Sequence, residues 1–186
     1  MSPPAQGFYG KIPTRGDFVR AGLPRSFIDP WDAWLQSVLA AARTRLGAVW
    51  EPAWMEAPVW RFRLPAGACG PDALIGVFMP SIDRAGRLFP LTFVHMAPTQ
   101  AEPDWLDRAA ASGIAALEHD LDPEALAARL ELPAAESGPA APADADSTRC
   151  LWWTEGGPRV PATVFTTPSL PDAAGFTRML DAAAPF

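Results

Sequence analysis

The sequence is poor in the residues that most often carry chemistry: it has two cysteines, two histidines and a single tyrosine. Cys69 and Cys150 stand far apart, with no partners at metal-ligand spacing, so neither a disulfide framework nor a metal site is expected, and no cofactor motif is present. Residues Met1–Gln6 lack the basic start and apolar core of a secretory leader. No stretch approaches the roughly 18–20 apolar residues that a membrane-spanning helix needs. The chain therefore reads as cytoplasmic, with no membrane span. Lysine occurs once, at Lys11, against fourteen arginines. The net charge is −6 and unevenly placed, +3 through Pro90 and −9 after it. Nucleic-acid binding needs clustered cations that displace counterions from phosphates, and this balance argues against it. A basic surface, if there is one, belongs to the first half.

What the chain does have is aromatic bulk, with eight tryptophans and ten phenylalanines in 186 residues, enough for the core of one ordinary domain spanning residues 1–186. Residues 8–12 predict a short strand broken by Pro13 and Gly16. A helix is expected from a cap at Asp29, with Pro30 in its first position, to a stop at Gly47, its apolar face formed by Trp31, Trp34, Leu35, Val38, Leu39, Ala42 and Leu46. Strand runs at 59–64, 73–80 and 89–97 follow, joined by Gly/Pro connections short enough for antiparallel pairing. The middle run, "ALIGVFMP", is apolar on both sides, which predicts a central strand with helices over both faces. Two acidic, alanine-rich helices are expected at 102–117 and 124–131. The Pro/Ala/acid-rich stretch 132–147 predicts a mobile insertion. A strand pair around "EGGP" and a short helix at 172–180 close the chain. The expected fold is an α/β three-layer sandwich on a mainly antiparallel mixed sheet.

Two loops concentrate polar residues, "GKIPTRGDF" and "MPSIDRAGRLFP". The "RGD" in the first invites an adhesion reading, which the expected compartment makes poor. The first loop is no phosphate loop either, because its Gly-Lys leads into proline rather than opening a helix. In the second, Ser81 as nucleophile, His95 as base and Asp83 as orienter would form a hydrolytic triad. His95 lies six or seven residues along the following strand, roughly 20 Å away at about 3.3 Å per residue, and no nucleophile-elbow motif is present. His95 reads instead as a partly buried strand residue and His119 as a helix-end residue. Asp17 and Asp83 are short enough to bond local backbone and pin their turns. Arg15, Arg84 and Arg87 offer planar five-donor forks suited to carboxylate or phosphate, and are the candidate partner-binding residues.

These loops, with "PWDAWLQ" and "APVWRFRL" between them, resemble the TagF family of type VI secretion accessory proteins. The resemblance covers roughly residues 7–97, where four separated blocks coincide in order. It implies a non-enzymatic negative regulator that restrains assembly or firing of the secretion apparatus after translation, through contact with a forkhead-associated-domain protein. It also implies an α/β sandwich. Within the shared signature, Gly10, Lys11, Gly16, Asp17, Phe18, Ser81, Asp83 and Gly86 are read as structural positions. The alternative from the residues is a small hydrolase or phosphate-ester-binding enzyme using Ser81, Asp83 and Arg84.

Overall fold

The computed structural model describes residues 6–96, 102–131, 142 and 147–184. The expected insertion at 132–147 lies outside these residues apart from positions 142 and 147. Among the described residues, seven strands form one sheet: β1 (Gln6–Gly10), β2 (Val19–Ala21), β3 (Trp60–Leu64), β4 (Leu74–Met79), β5 (Leu91–Met96), β6 (Cys150–Thr154) and β7 (Thr163–Thr167). Their order is β2-β1-β5-β4-β3-β6-β7, and every described pairing is antiparallel, so the sheet is not the mixed one expected. The all-apolar β4 takes the central position, and β3, β4 and β5 form the expected meander.

Five α-helices accompany the sheet among the described residues: α1 (Arg25–Leu46), α2 (Trp50–Glu56), α3 (Glu102–Glu118), α4 (Pro123–Leu130) and α5 (Ala173–Leu180). Side chains alternate across a strand, and β4 divides accordingly. Leu74 and Phe78 join α1, α2 and α5 in one apolar cluster, while Ile75, Val77 and Met79 join α3 and α4 in another. The first cluster is built on aromatic rings. Trp31 packs on Phe27, Trp34 and Phe62 at centroid distances of 5.5, 4.7 and 5.1 Å. Its indole N–H donates to the Thr92 hydroxyl at 3.1 Å, so the ring is buried without leaving a donor unpaired. Trp34, Trp54, Trp60 and Trp152 are satisfied in the same way. Trp152 and Trp153 point to opposite faces of β6, and both are core, one in each cluster.

Helix α1 starts a turn earlier than predicted. Pro24, not Asp29, precedes it, and the Pro24 carbonyl accepts from the Phe27 and Ile28 amides. Pro30 then sits inside the helix, where a proline costs about 3 kcal/mol. Phe27 and Ile28 are both buried by the added turn, and at about 1.5–3 kcal/mol each their burial offsets that cost. Helix α2 was not foreseen. Gly47 does end α1, but a 3-10 turn at Gly47–Val49 leads directly into Trp50–Glu56, which buries Trp50, Ala53 and Trp54 at helical spacing. The last two helices carry aspartate caps, with Asp122 accepting from Ala125 N–H and Asp172 from Gly175 N–H, each at 2.8 Å, so Asp172 caps the helix it was expected to begin.

The first strand ends at Gly10 rather than Ile12. Gly10 has φ +145°, and an added Cβ would meet the Pro90 carbonyl oxygen at 2.1 Å, so the position requires glycine. Strand β5 begins after Pro90, which has no N–H for the ladder. Gly76 in β4 is needed for space: a Cβ there would lie 2.2 Å from the Phe62 ring and 2.6 Å from the Phe93 carbonyl oxygen. Gly76→Ala is therefore expected to lower stability by about 1–3 kcal/mol, the scale of an overpacked core, seen as a lower urea midpoint. An unchanged midpoint would contradict this packing.

Candidate functional site

The two polar loops meet around one carboxylate. Asp83 has a fully buried side chain, and its Oδ2 accepts from Lys11 Nζ at 2.8 Å and from Arg87 Nε at 2.7 Å. Its Oδ1 accepts from the Ala85 and Arg87 backbone amides, both at 2.9 Å. A short acidic side chain at this point of the β4–β5 connection can reach amides two and four residues on, which closes the turn. Asp83 N–H to Arg87 carbonyl and Gly86 N–H to Asp83 carbonyl complete it, with Gly86 at φ +83°. Burial pushes the Asp83 pKa up, but the bonds from Lys11, from the Arg87 amide and guanidinium and from Ala85 outweigh it and hold the carboxyl well below the usual carboxylate range.

Three further bonds tie the connection to the first loop. Ser81 Oγ donates to the Lys11 carbonyl at 2.7 Å, Arg84 N–H donates to the Arg15 carbonyl at 2.9 Å, and Arg87 Nη2 donates to the Gly16 carbonyl. The first loop is also held from the α3–α4 side by Thr14 Oγ1, which donates to the Leu121 carbonyl at 2.9 Å. Phe18 lies flat on Tyr9 at 5.6 Å and edge-on to Phe89 at 4.8 Å, with Lys11 Nζ 5.1 Å from its ring centre.

The candidate residues thus divide. Lys11, Ser81 and Asp83 are buried and bonded to one another's loops. Asp17 is exposed and makes no hydrogen bond among the described residues, so the turn-pinning expected of it falls to Asp83 alone. Gly16 has open space around it and contributes its carbonyl rather than its lack of a side chain. Arg87 commits two of its guanidinium donors, Nε to Asp83 and Nη2 to Gly16, while its side chain stays 61% exposed. Arg15 and Arg84 are exposed and line an open groove of about 460 Å³, together with Arg20 of β2, which sequence reading did not single out. Arg20 sits in a three-residue strand too short to show a period; its one signal was proximity to "RGDF".

The triad does not assemble. His95 pairs with Ile75 and Gln6 at the far end of β5 and packs on Trp105 at 5.4 Å, while the Ser81 hydroxyl is turned to Lys11. Burial pushes the Cys69 thiol up to about 12, which suppresses the thiolate a nucleophile would need. Among the described residues no group of three or more His, Cys, Asp or Glu could hold a metal, and no helix is long and apolar enough to cross a membrane.

An antiparallel α/β domain whose two loops are locked by a buried ion pair, with arginines left outside, is the framework in which the comparisons fall. A family model described as the TagF N-terminal domain, type VI secretion system-associated, matches residues 7–132. The chain belongs to this family. Its structure is also similar to the crystal structure of PA0076 from Pseudomonas aeruginosa PAO1, with 34% identity and a TM-score of 0.82, covering 98% of this chain and 96% of that one. That likeness continues through β6, β7 and α5, beyond both the family match and the residues that carried the resemblance in sequence. No curated protein matches the chain significantly.

Asp83→Asn keeps the shape of the side chain but leaves Lys11, 8% exposed, without its counter-charge. A loss of more than about 2 kcal/mol is expected at neutral pH. Because the folded pKa lies below the unfolded value of about 3.9, the contribution is complete above that value and is lost as pH falls toward the folded one. The gap in stability between wild type and variant should therefore narrow below about pH 4. Urea titrations at several pH values measure this, and a gap independent of pH would show that the charge of Asp83 is not what holds the loops.

Proposed function

We propose that this chain is a non-enzymatic, post-translational negative regulator of type VI secretion, acting in the cytoplasm by binding a forkhead-associated-domain component of the apparatus. Membership of the TagF family supports the association with secretion. The observation that carries the binding reading is the division of labour in the loop pair. The charges of Asp83 and Lys11 and the Ser81 hydroxyl are paired internally, and the side chains left facing outward around them include Arg15 and Arg84, with Asp17 and Phe18 beside them. That is how a recognition surface is built: a rigid base whose charges are neutralised inside, bearing donors suited to an anionic partner. We also take residues 1–186 as one domain, and we read the two clusters as a three-layer α-β-α arrangement, with α1, α2 and α5 over one face of the sheet and α3 and α4 over the other.

The hydrolase alternative gains no support from this geometry. A serine nucleophile needs a base within hydrogen-bond reach, whereas the Ser81 hydroxyl donates to a backbone carbonyl and Asp83 is saturated by four donors. Deleting the chain from its host is expected to raise type VI secretion, measured as effector protein in the culture medium. The tagged chain is expected to retain the forkhead-associated component on affinity resin. Unchanged secretion with no retention would overturn the regulatory reading, and abolished secretion would mark a structural part of the machine instead.

A further inference from the structure

We infer that the groove between the Arg15–Arg20 segment and the β4–β5 connection is a docking cleft for an acidic peptide segment, gripped by Arg15, Arg20 and Arg84. This deepens the regulatory reading and rests on it for the partner's identity, not for the partner's chemistry. The cleft has about 460 Å³ of open volume, room for several side chains of an extended segment. Arg20 and Arg84 are exposed, and neither has an ion-pair partner or side-chain hydrogen bond among the described residues. Arg15 reaches Glu124 only at 3.7 Å, with the two side chains 51% and 80% exposed. Such a pair contributes about 0–1 kcal/mol and an incoming carboxylate can replace it. Arg87 is different: two of its guanidinium donors are committed to Asp83 and Gly16 and it does not line the cleft, so its part here is to position the loops.

The backbone that carries Arg15 and Arg84 is held in place before any ligand arrives. Arg84 N–H bonds the Arg15 carbonyl, so the two cationic side chains leave backbones joined at 2.9 Å, and the turn beneath them is fastened by Asp83. Preorganised donors lose less entropy on binding. Phe18, 44% exposed and backed by Tyr9, supplies an apolar wall for the aliphatic parts of a peptide.

The lining favours spaced carboxylates over one compact phosphate. Asp17 stands in the cleft, where it repels a doubly charged phosphate more strongly than a single carboxylate and can accept a peptide backbone N–H. The start of α4 offers no substitute anion site, because Pro123 has no N–H and Asp122 already occupies the Ala125 amide.

The test is fluorescence anisotropy on the full chain with a short fluorescein-labelled peptide of alternating Glu and Gly. Binding is expected, weakening as salt rises, and about tenfold or more weaker in the double variant Arg20→Ala/Arg84→Ala, whose exposed positions leave thermal unfolding unchanged. Equal affinity in the variant, equal binding of a Gln/Gly peptide, or displacement by millimolar inorganic phosphate as complete as by unlabelled peptide would each overturn the proposal. A parallel pull-down of the forkhead-associated component separates the two readings. If wild type fails to retain it, the regulatory reading falls and the peptide titration alone decides the cleft. If variant and wild type retain it equally while the peptide is lost, the acidic-peptide cleft stands and its assignment to this partner is overturned.

Discussion

A single buried carboxylate organises the candidate site of this molecule. Asp83 lies at the tip of a connection between two central strands, yet its oxygens take donors from Lys11, from Arg87 and from two amides of its own turn. A buried ion pair is weak evidence for stability, because desolvating both charges costs several kcal/mol. What this one supplies is position. It fixes the loop after β1 against the loop after β4, two segments 72 residues apart in sequence. Once they are fixed, the Ser81 hydroxyl, the Arg84 amide and the Arg87 guanidinium all find carbonyls on the facing loop.

The choice of cation follows from the same constraint. Lys11 is the only lysine in a chain of fourteen arginines, and it stands where the space is closed, 7% exposed and under the Phe18 ring. A compact ammonium on a flexible stem suits such a site, whereas a guanidinium would bring five donors to a place that can satisfy few of them. In these two loops arginine is used where the fork faces water or reaches across the loop surface. The uneven charge of the chain agrees with this arrangement: a net acidic protein keeps a local cationic face in its first half.

The elements with strong periodicity could be read from sequence, and those fixed by tertiary contact could not. The β3-β4-β5 meander, the central place of β4, the cap at Asp122 and the opposed faces of Trp152 and Trp153 all follow from alternation and local capping chemistry. Helix α1 began a turn early because burial of Phe27 and Ile28 outweighed an internal proline, a balance that local rules do not see. Helix α2 hid behind the stop signal of Gly47, and only the spacing of Trp50, Ala53 and Trp54 pointed to it. At the site, Asp17 and Asp83 looked equivalent as loop aspartates. What separates them is the approach of Lys11 across the fold, which spacing along the chain cannot show. Arg20 became visible as a lining residue only when β2 paired with β1.

The central claim is that the loop pair fastened by Asp83 is the surface that meets the partner. The opposite end of the sheet offers the contrasting candidate, a more apolar cavity of about 330 Å³ between β7 and α5, lined in part by Trp60, Phe165 and Met179. Hydrogen–deuterium exchange of the chain, alone and with the forkhead-associated component, distinguishes the two faces. The account predicts slowed exchange in residues 14–20 and 83–87 on complex formation, with β7 and α5 unchanged. Protection confined to residues 160–182, with the loop pair exchanging as before, would contradict it.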